Sequence, residues 1–227
     1  MKKKKAIVLF SGGLDSTTAL CWALERGYDC AALSFDYGQR HSRENRAARA
    51  IARRLKVPLH EVKLDFPWLK VSSLVGAGGK IPDVELEKIG SGRIPSTYVP
   101  GRNFVFSAIG ASFADAVGAE AVVSGPNAVD YSGYPDCRPE FYRAVERAAA
   151  IGTRAGAEGG RIKFLTPLVR LSKERIVKLA LKLKAPLGLT WSCYRGGRRP
   201  CGRCDSCRLR AAGFAAAGAA DPALEER

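Results

Sequence analysis

The 227-residue chain has two histidines, fewer acidic than basic residues, and no long apolar run. Each shortage excludes something. No stretch approaches the ~20 apolar residues of a membrane-spanning helix. The leader carries four lysines, but only "AIVLF" follows, too short for the core of a signal peptide. A soluble cytoplasmic protein is therefore expected. With only His41 and His60, a serine nucleophile has few bases to choose from. Acidic residues number 22 against 37 Lys and Arg, a formal balance of +15. That excess suits RNA or the steering of an anionic substrate. The charge is dispersed, with clusters at Lys2 to Lys5, Arg46 to Arg54 and Arg195 to Arg203. No basic strand interleaved with aromatics is present, which favours anionic small molecules over a stable nucleic-acid partner.

What is present is a globular composition, 46% hydrophobic, enough for one sizeable core. "KAIVLF" reads as a buried strand and "DSTTALCWALERG" as a helix that Gly27 can close in the left-handed conformation. "DCAALSFDYG" and "LHEVKLDF" read as strands around a helix, "HSRENRAARAIARRLK", with Ala47, Ile51 and Leu55 on one face. Residues 70 to 100, rich in Gly, Pro and Ser, read as a long loop. Then follow a helix over "RNFVFSAIGASFADAVG", a strand "AEAVVSG", a second long loop "PNAVDYSGYPDC" and a helix "PEFYRAVERAAAIG". The strand "RIKFLTPL" and a helix capped by Ser172 complete the pattern. Strands alternating with helices imply a doubly wound, mostly parallel five-stranded α/β sheet, with ligands beyond the strands' carboxyl ends. The segment "FSAIGASF" suits either core or a subunit interface.

"FSGGLDST" sits where the first strand ends. A nucleophile elbow needs G-x-S-x-G, but Leu9 and Phe10 precede Ser11. The dinucleotide fingerprint lacks its third glycine, and no lysine lies between Lys5 and Arg26 for a Walker loop. Two adjacent glycines leading into a helix instead let backbone N–H groups approach an anion. Ser11, Ser16 and Thr17 add hydroxyl donors. Asp15 would repel phosphate, but it makes sense as a ligand for Mg²⁺ bridging pyrophosphate oxygens. Without a lysine drawn to the terminal phosphates, this logic points to attack at the α-phosphorus, that is, adenylation. An ordinary structural glycine turn is the bland alternative.

Seven cysteines divide into scattered Cys21, Cys30 and Cys137 and a crowd of four. Cys193, Cys201, Cys204 and Cys207 have the short spacings that place thiolates on one ion. A closed Cys₄ site is structural, and zinc suits it better than an iron–sulfur cluster, since no other redox feature accompanies it. Gly202 lets a tight turn direct N–H groups to sulfur. Cys21 reads as a small core residue.

"SGGLDS" resembles the pyrophosphate loop of the PP-loop ATP pyrophosphatases. Together with "FDYGQRH", "TYVPGRN", "VDYSGYPDCR", "FLTPL" and the C-terminal "SCY…CGRCDSCRLR", it resembles the 7-cyano-7-deazaguanine synthases of queuosine and archaeosine precursor biosynthesis. The similarity runs from about residue 6 to 213. The resemblance implies an adenine nucleotide alpha hydrolase-like fold over 1–190, a zinc-binding segment at 191–213 and a flexible tail at 214–227. It implies a ligase: ATP adenylates the carboxylate of 7-carboxy-7-deazaguanine, ammonia gives the amide, and a second adenylation yields the nitrile. Asp15 and Ser16 would be catalytic. Phe10, Ser11, Gly12, Gly13, Leu14, Asp15, Ser16 and Thr17 would hold ATP and Mg²⁺, with Asp36, Tyr37, Gly38, Gln39 and Arg40 near the adenosine. Arg102, Asn103, Tyr131, Tyr134, Asp136 and Arg138 would recognise the purine-like substrate, and the four cysteines Zn²⁺. Lys173 suits either phosphate neutralisation or a solvated helix surface. Free ammonium, or ammonia from a partner, is the expected nitrogen source, and a homodimer the expected assembly. Two alternatives stay open at this point: a PP-loop enzyme acting directly on tRNA by thiolation or lysine attachment, and a zinc-ribbon RNA-binding module on an inactive PP-loop.

Overall fold

The computed structural model describes residues 3–39, 42–68, 72–75, 80–83, 85–89 and 94–224, with only the backbone of 88, 131 and 132. Strands β1 (Lys5–Leu9), β2 (Asp29–Asp36), β3 (Leu59–Lys63), β4 (Ala121–Val123) and β5 (Lys163–Leu165) form one sheet in the order β3-β2-β1-β4-β5. Every pairing is parallel, and Ile7 of β1 faces Ala31 of β2 on one side and Val122 of β4 on the other. The chain builds outward through β2 and β3, then returns to the other side of β1. The crevice at that reversal, beyond the carboxyl ends of β1 and β4, is where a ligand fits such a sheet.

Burial on both faces explains the near-continuous apolar runs of β1 and β4, whereas the edge strand β3 is largely polar and exposed. In β1, Ala6 and Val8 point into one core and Ile7 and Leu9 into the other. The first core is covered by α1 (Leu14–Glu25), α2 (Arg43–Leu55), α7 (Lys173–Lys182) and α8 (Asp205–Ala216), through Leu20, Ile51, Ile176 and Phe214. The second is covered by α3 (Arg102–Val117) and α5 (Pro139–Gly152), through Ala111, Ala114, Tyr142 and Val145. Gly110 of α3 lies so close to the sheet that a Cβ there would meet Leu9 Cδ2 at 3.0 Å. Phe106 stacks on Phe35, centroids 3.8 Å apart. Within "FSAIGASF", Ser107, Gly110 and Ala111 are therefore core, while Ala108 and Ser112 are exposed.

The second expected loop is not a loop. Residues 126–137 contain α4 (Ala128–Gly133) and a 3-10 turn, Pro135–Cys137. The cause is local: Asn127 accepts from the N–H groups of Val129 and Asp130, and Asp130 reaches back to the Asn127 N–H, a capping box. A short helix α6 (Arg154–Ala157) follows α5. Ser172 caps α7 as expected, accepting from Arg175 N–H. Helix α8 runs past residue 213, Phe214 in it is 2% exposed, and Asp221 beyond it pairs with Arg210. The segment expected to be a flexible tail thus begins inside a packed helix. No helix among the described residues is long and apolar enough to cross a membrane.

Candidate functional site

The turn after β1 owes its shape to close packing. Gly12 has φ +79°, and a Cβ there would lie 2.5 Å from the Ala48 backbone nitrogen of α2. Only glycine satisfies both demands. Gly13 is the N-cap of α1 and offers no side chain to the helix end. The first-turn N–H groups of α1 therefore face the crevice unclaimed by a cap, a ready anion site. Ser11 and Ser16 close the turn, their hydroxyls 3.1 Å apart and Ser11 Oγ accepting from Gly13 N–H. Gly125, after β4, presses on the same turn: a Cβ there would meet the Asp15 carbonyl carbon at 3.1 Å.

Phe10, Ser11, Gly13, Leu14, Asp15 and Ser16 all line the cleft. Gly12 supports it from behind. Thr17 does not contribute: it is fully buried, and its hydroxyl has no partner. Consecutive helix positions point about 100° apart, so Ser16 and Thr17 cannot both face one turn. Asp15 Oδ2 accepts from Lys173 Nζ at 2.5 Å and from Asn127 Nδ2 at 3.1 Å, whereas Oδ1 is buried without a partner. An unpartnered carboxylate oxygen beside an anion site fits a hard divalent cation such as magnesium.

At the end of β2 and just beyond it, Tyr37 lines the cleft; Asp36, Gly38 and Gln39 do not. They shape its rim instead. Gln39 Oε1 accepts from Tyr37 N–H and its amide donates to Phe35 O and Asn45 Oδ1, while Asp36 Oδ1 accepts from Gly38 N–H. Arg40 lies outside the described residues, as do His41 and the Tyr131 side chain.

On the opposite wall, Arg102, Asn103, Tyr134 and Asp136 converge. Asp136 Oδ2 accepts from Asn103 N–H at 2.9 Å, so the start of α3 fixes the carboxylate. Tyr134 stacks on Tyr98 and shares a hydrogen bond with Thr97, and burial pushes its phenol up to about 12. Burial pulls the Arg102 guanidinium down, but Tyr37, Cys137 and Asp136 around it leave it firmly charged. Arg138 is exposed and outside the cleft, at the N-cap of α5.

Sequence reasoning missed Glu44, Asn127, Asp130, Tyr194 and Arg210, all lining or bordering this cleft. Burial raises the Glu44 carboxyl to about 7 despite the Arg102 charge. Burial likewise raises Asp130 to about 6, against the pull of Lys173. Buried Lys173 is nonetheless held above its ordinary value by Asp15 and Asp130.

The four cysteine Sγ atoms lie within 4.8 Å of one another, Cys201 and Cys207 at 4.0 Å. A tetrahedron with bonds of ~2.3 Å separates its thiolates by about 3.8 Å, so the set fits one ion. Cys201 Sγ accepts from Arg203 and Cys204 N–H across Gly202, whose φ is +70°, and Cys193 Sγ from Arg195 and Cys201 N–H. Hydrogen bonds from the Cys204 and Cys207 thiols hold Cys193 well below the ordinary thiol value. The cluster borders the cleft: Tyr194 follows Cys193, and Ser206 and Arg210 lie beside and one turn beyond Cys207.

Sheet order, reversal point and glycine turn define an α/β protein of the class that holds a phosphate-bearing ligand at its strand ends. A family model described as "Queuosine biosynthesis protein QueC" matches residues 5–218. The chain is 50% identical over 222 residues to the 7-cyano-7-deazaguanine synthase of Synechococcus sp. (strain CC9605), 97% of each chain. It is 46% identical over 227 residues to the Thermoplasma acidophilum protein of that name, 100% of this chain and 94% of the other. The solved NMN synthetase from Francisella tularensis shares the fold, with TM-score 0.50 and 16% identity over 88% of this chain and 71% of that one. This chain belongs to the QueC family.

Proposed function

We propose that the chain is an ATP-dependent ligase that converts 7-carboxy-7-deazaguanine and ammonia into 7-cyano-7-deazaguanine. The observation that carries this reading is its identity, over nearly the full length of both chains, with proteins named for that product. The cleft supports it chemically. A carboxylate is a poor electrophile. In this reading its oxygen attacks the α-phosphorus of ATP, the bond to the β-phosphate oxygen breaks, and pyrophosphate departs towards the N–H groups opening α1. Asp15 would hold Mg²⁺, which when bound offsets charge on the departing group. Ammonia then attacks the acyl carbon, AMP leaves and a proton is lost, giving the amide. The amide oxygen then attacks the α-phosphorus of a second ATP, pyrophosphate departs, and loss of AMP and of both protons on the amide nitrogen gives the nitrile.

Tyr134, stacked on Tyr98, offers an aromatic face for the deazapurine, and Asp136 a carboxylate for its N–H edge. Free ammonium is the nitrogen source, the four cysteines hold structural Zn²⁺, and the assembly is a cytoplasmic homodimer. ATP–pyrophosphate exchange tests the reading. Exchange that requires the deazapurine acid and ignores tRNA is expected. Exchange that appears only with tRNA would transfer the chain to the RNA-acting alternative.

A further inference from the structure

Lys173, the first residue of α7, reaches across the cleft to Asp15 in the first turn of α1. Its Nζ lies 2.5 Å from Asp15 Oδ2, and the two side chains are 15% and 23% exposed. Asn127, fully buried, donates from Nδ2 to the same Asp15 oxygen at 3.1 Å and to Asp130 Oδ2 at 2.6 Å. Its Oδ1 accepts from the N–H groups of Val129 and Asp130. All four hydrogen-bonding capacities of this amide are in use, so its position does not depend on Lys173. Two carboxylates and one ammonium meet here, with the Arg102 charge bearing on Asp130 and the Arg210 charge on Lys173, so the two carboxylates hold the ammonium in place against repulsion from Arg210.

We infer that Lys173 is a placeholder cation: it steadies Asp15 while the cleft is empty, then moves to nucleotide phosphate when a divalent ion arrives at Asp15. The inference rests on the reading of Asp15 as the Mg²⁺ ligand. Like-charge repulsion drives the exchange, because a divalent ion on this carboxylate would sit within a few ångströms of the ammonium. A lysine is a compact charge on a flexible stem and can make the move. The phosphates bring negative charge into the cleft that Lys173 already lines. Asn127 keeps Asp15 Oδ2 after the lysine has left, so the partnerless Oδ1 is presented in an unchanged orientation.

The consequence is a pair of effects of opposite sign. In the full-length protein with its cysteine site filled, Lys173→Met should bind Mn²⁺ about tenfold more tightly in the absence of nucleotide, followed by electron paramagnetic resonance. The same variant should bind ATP with Mg²⁺ about tenfold more weakly by calorimetry. Mn²⁺ affinity that is unchanged or reduced overturns the inference. Lys173→Gln, which keeps an amide donor near Asp15, should move both affinities in the same directions and serves if the methionine variant does not fold. Asp15→Asn separates the two claims. Loss of Mn²⁺ binding in wild-type and Lys173→Met backgrounds supports Asp15 as the ligand. Retention would remove that reading whatever Lys173 does.

Discussion

The turn after β1 lines the cleft and the cysteine cluster at the start of α8 borders it, but the two are held together by opposite means. The turn is made of backbone, and its shape is fixed by packing of Gly12 on Ala48 and Gly125 on Asp15. Nothing bound is needed to keep it. The cluster is made of four side chains whose sulfurs repel one another once ionised, so an ion among them would hold it closed. The comparison teaches where stability and chemistry should part: damage to the cysteines is expected to reach the fold, and damage to Asp15 the reaction.

The largest stability effect is expected at the cluster. Cys204→Ser should release the metal and lower stability by about 4 kcal/mol, a drop on the order of 10 °C in melting temperature. Elemental analysis should find one zinc per wild-type chain. Stoichiometric iron with visible absorbance would contradict a closed zinc site. Next comes Gly12→Ala, which combines a left-handed backbone with a Cβ 2.5 Å from the Ala48 nitrogen. It should cost about 3 kcal/mol by denaturant unfolding. A neutral result would mean that the turn is not held by packing. Asp15→Ala should leave the melting temperature within a few degrees of wild type and reduce pyrophosphate exchange by about a thousandfold. Full exchange activity in that variant would remove Asp15 from the chemistry.

The smallest effect concerns pH. Burial raises the Glu44 carboxyl from 4.5 to about 7, so the folded state holds this proton more firmly than the unfolded chain does. The stability it contributes is complete below about 4.5 and is lost as pH rises to about 7. Glu44→Gln should therefore flatten the stability profile between those values, by on the order of 1 kcal/mol after allowance for screening. A variant profile parallel to wild type would show that Glu44 titrates normally.

The sheet and five of the six larger helices were legible because periodicity is a local signal, whereas α8 hid behind its cysteines. "SGGLDS" and the four cysteines were legible because each site is contiguous or closely spaced. Asn127, Glu44 and Lys173 were harder: they meet Asp15 or the cleft only when β4, α2 and α7 converge on β1. One signal was available, since Asn127 and Asp130 stand at capping-box spacing in the stretch that reads as a loop. Thr17 shows the reverse error. Its hydroxyl fits a list of phosphate donors, but helix geometry turns it into the core.

The central claim is that this cleft makes a nitrile from a carboxylate and ammonia at the cost of ATP. Mass spectrometry of the products, after incubation with 7-carboxy-7-deazaguanine, ATP, Mg²⁺ and isotopically labelled ammonium, tests it most directly. The account predicts 7-cyano-7-deazaguanine carrying the label in its nitrile, with AMP and pyrophosphate formed alongside. Unchanged acid, or ATP turnover that modifies tRNA and leaves the deazapurine untouched, would contradict it.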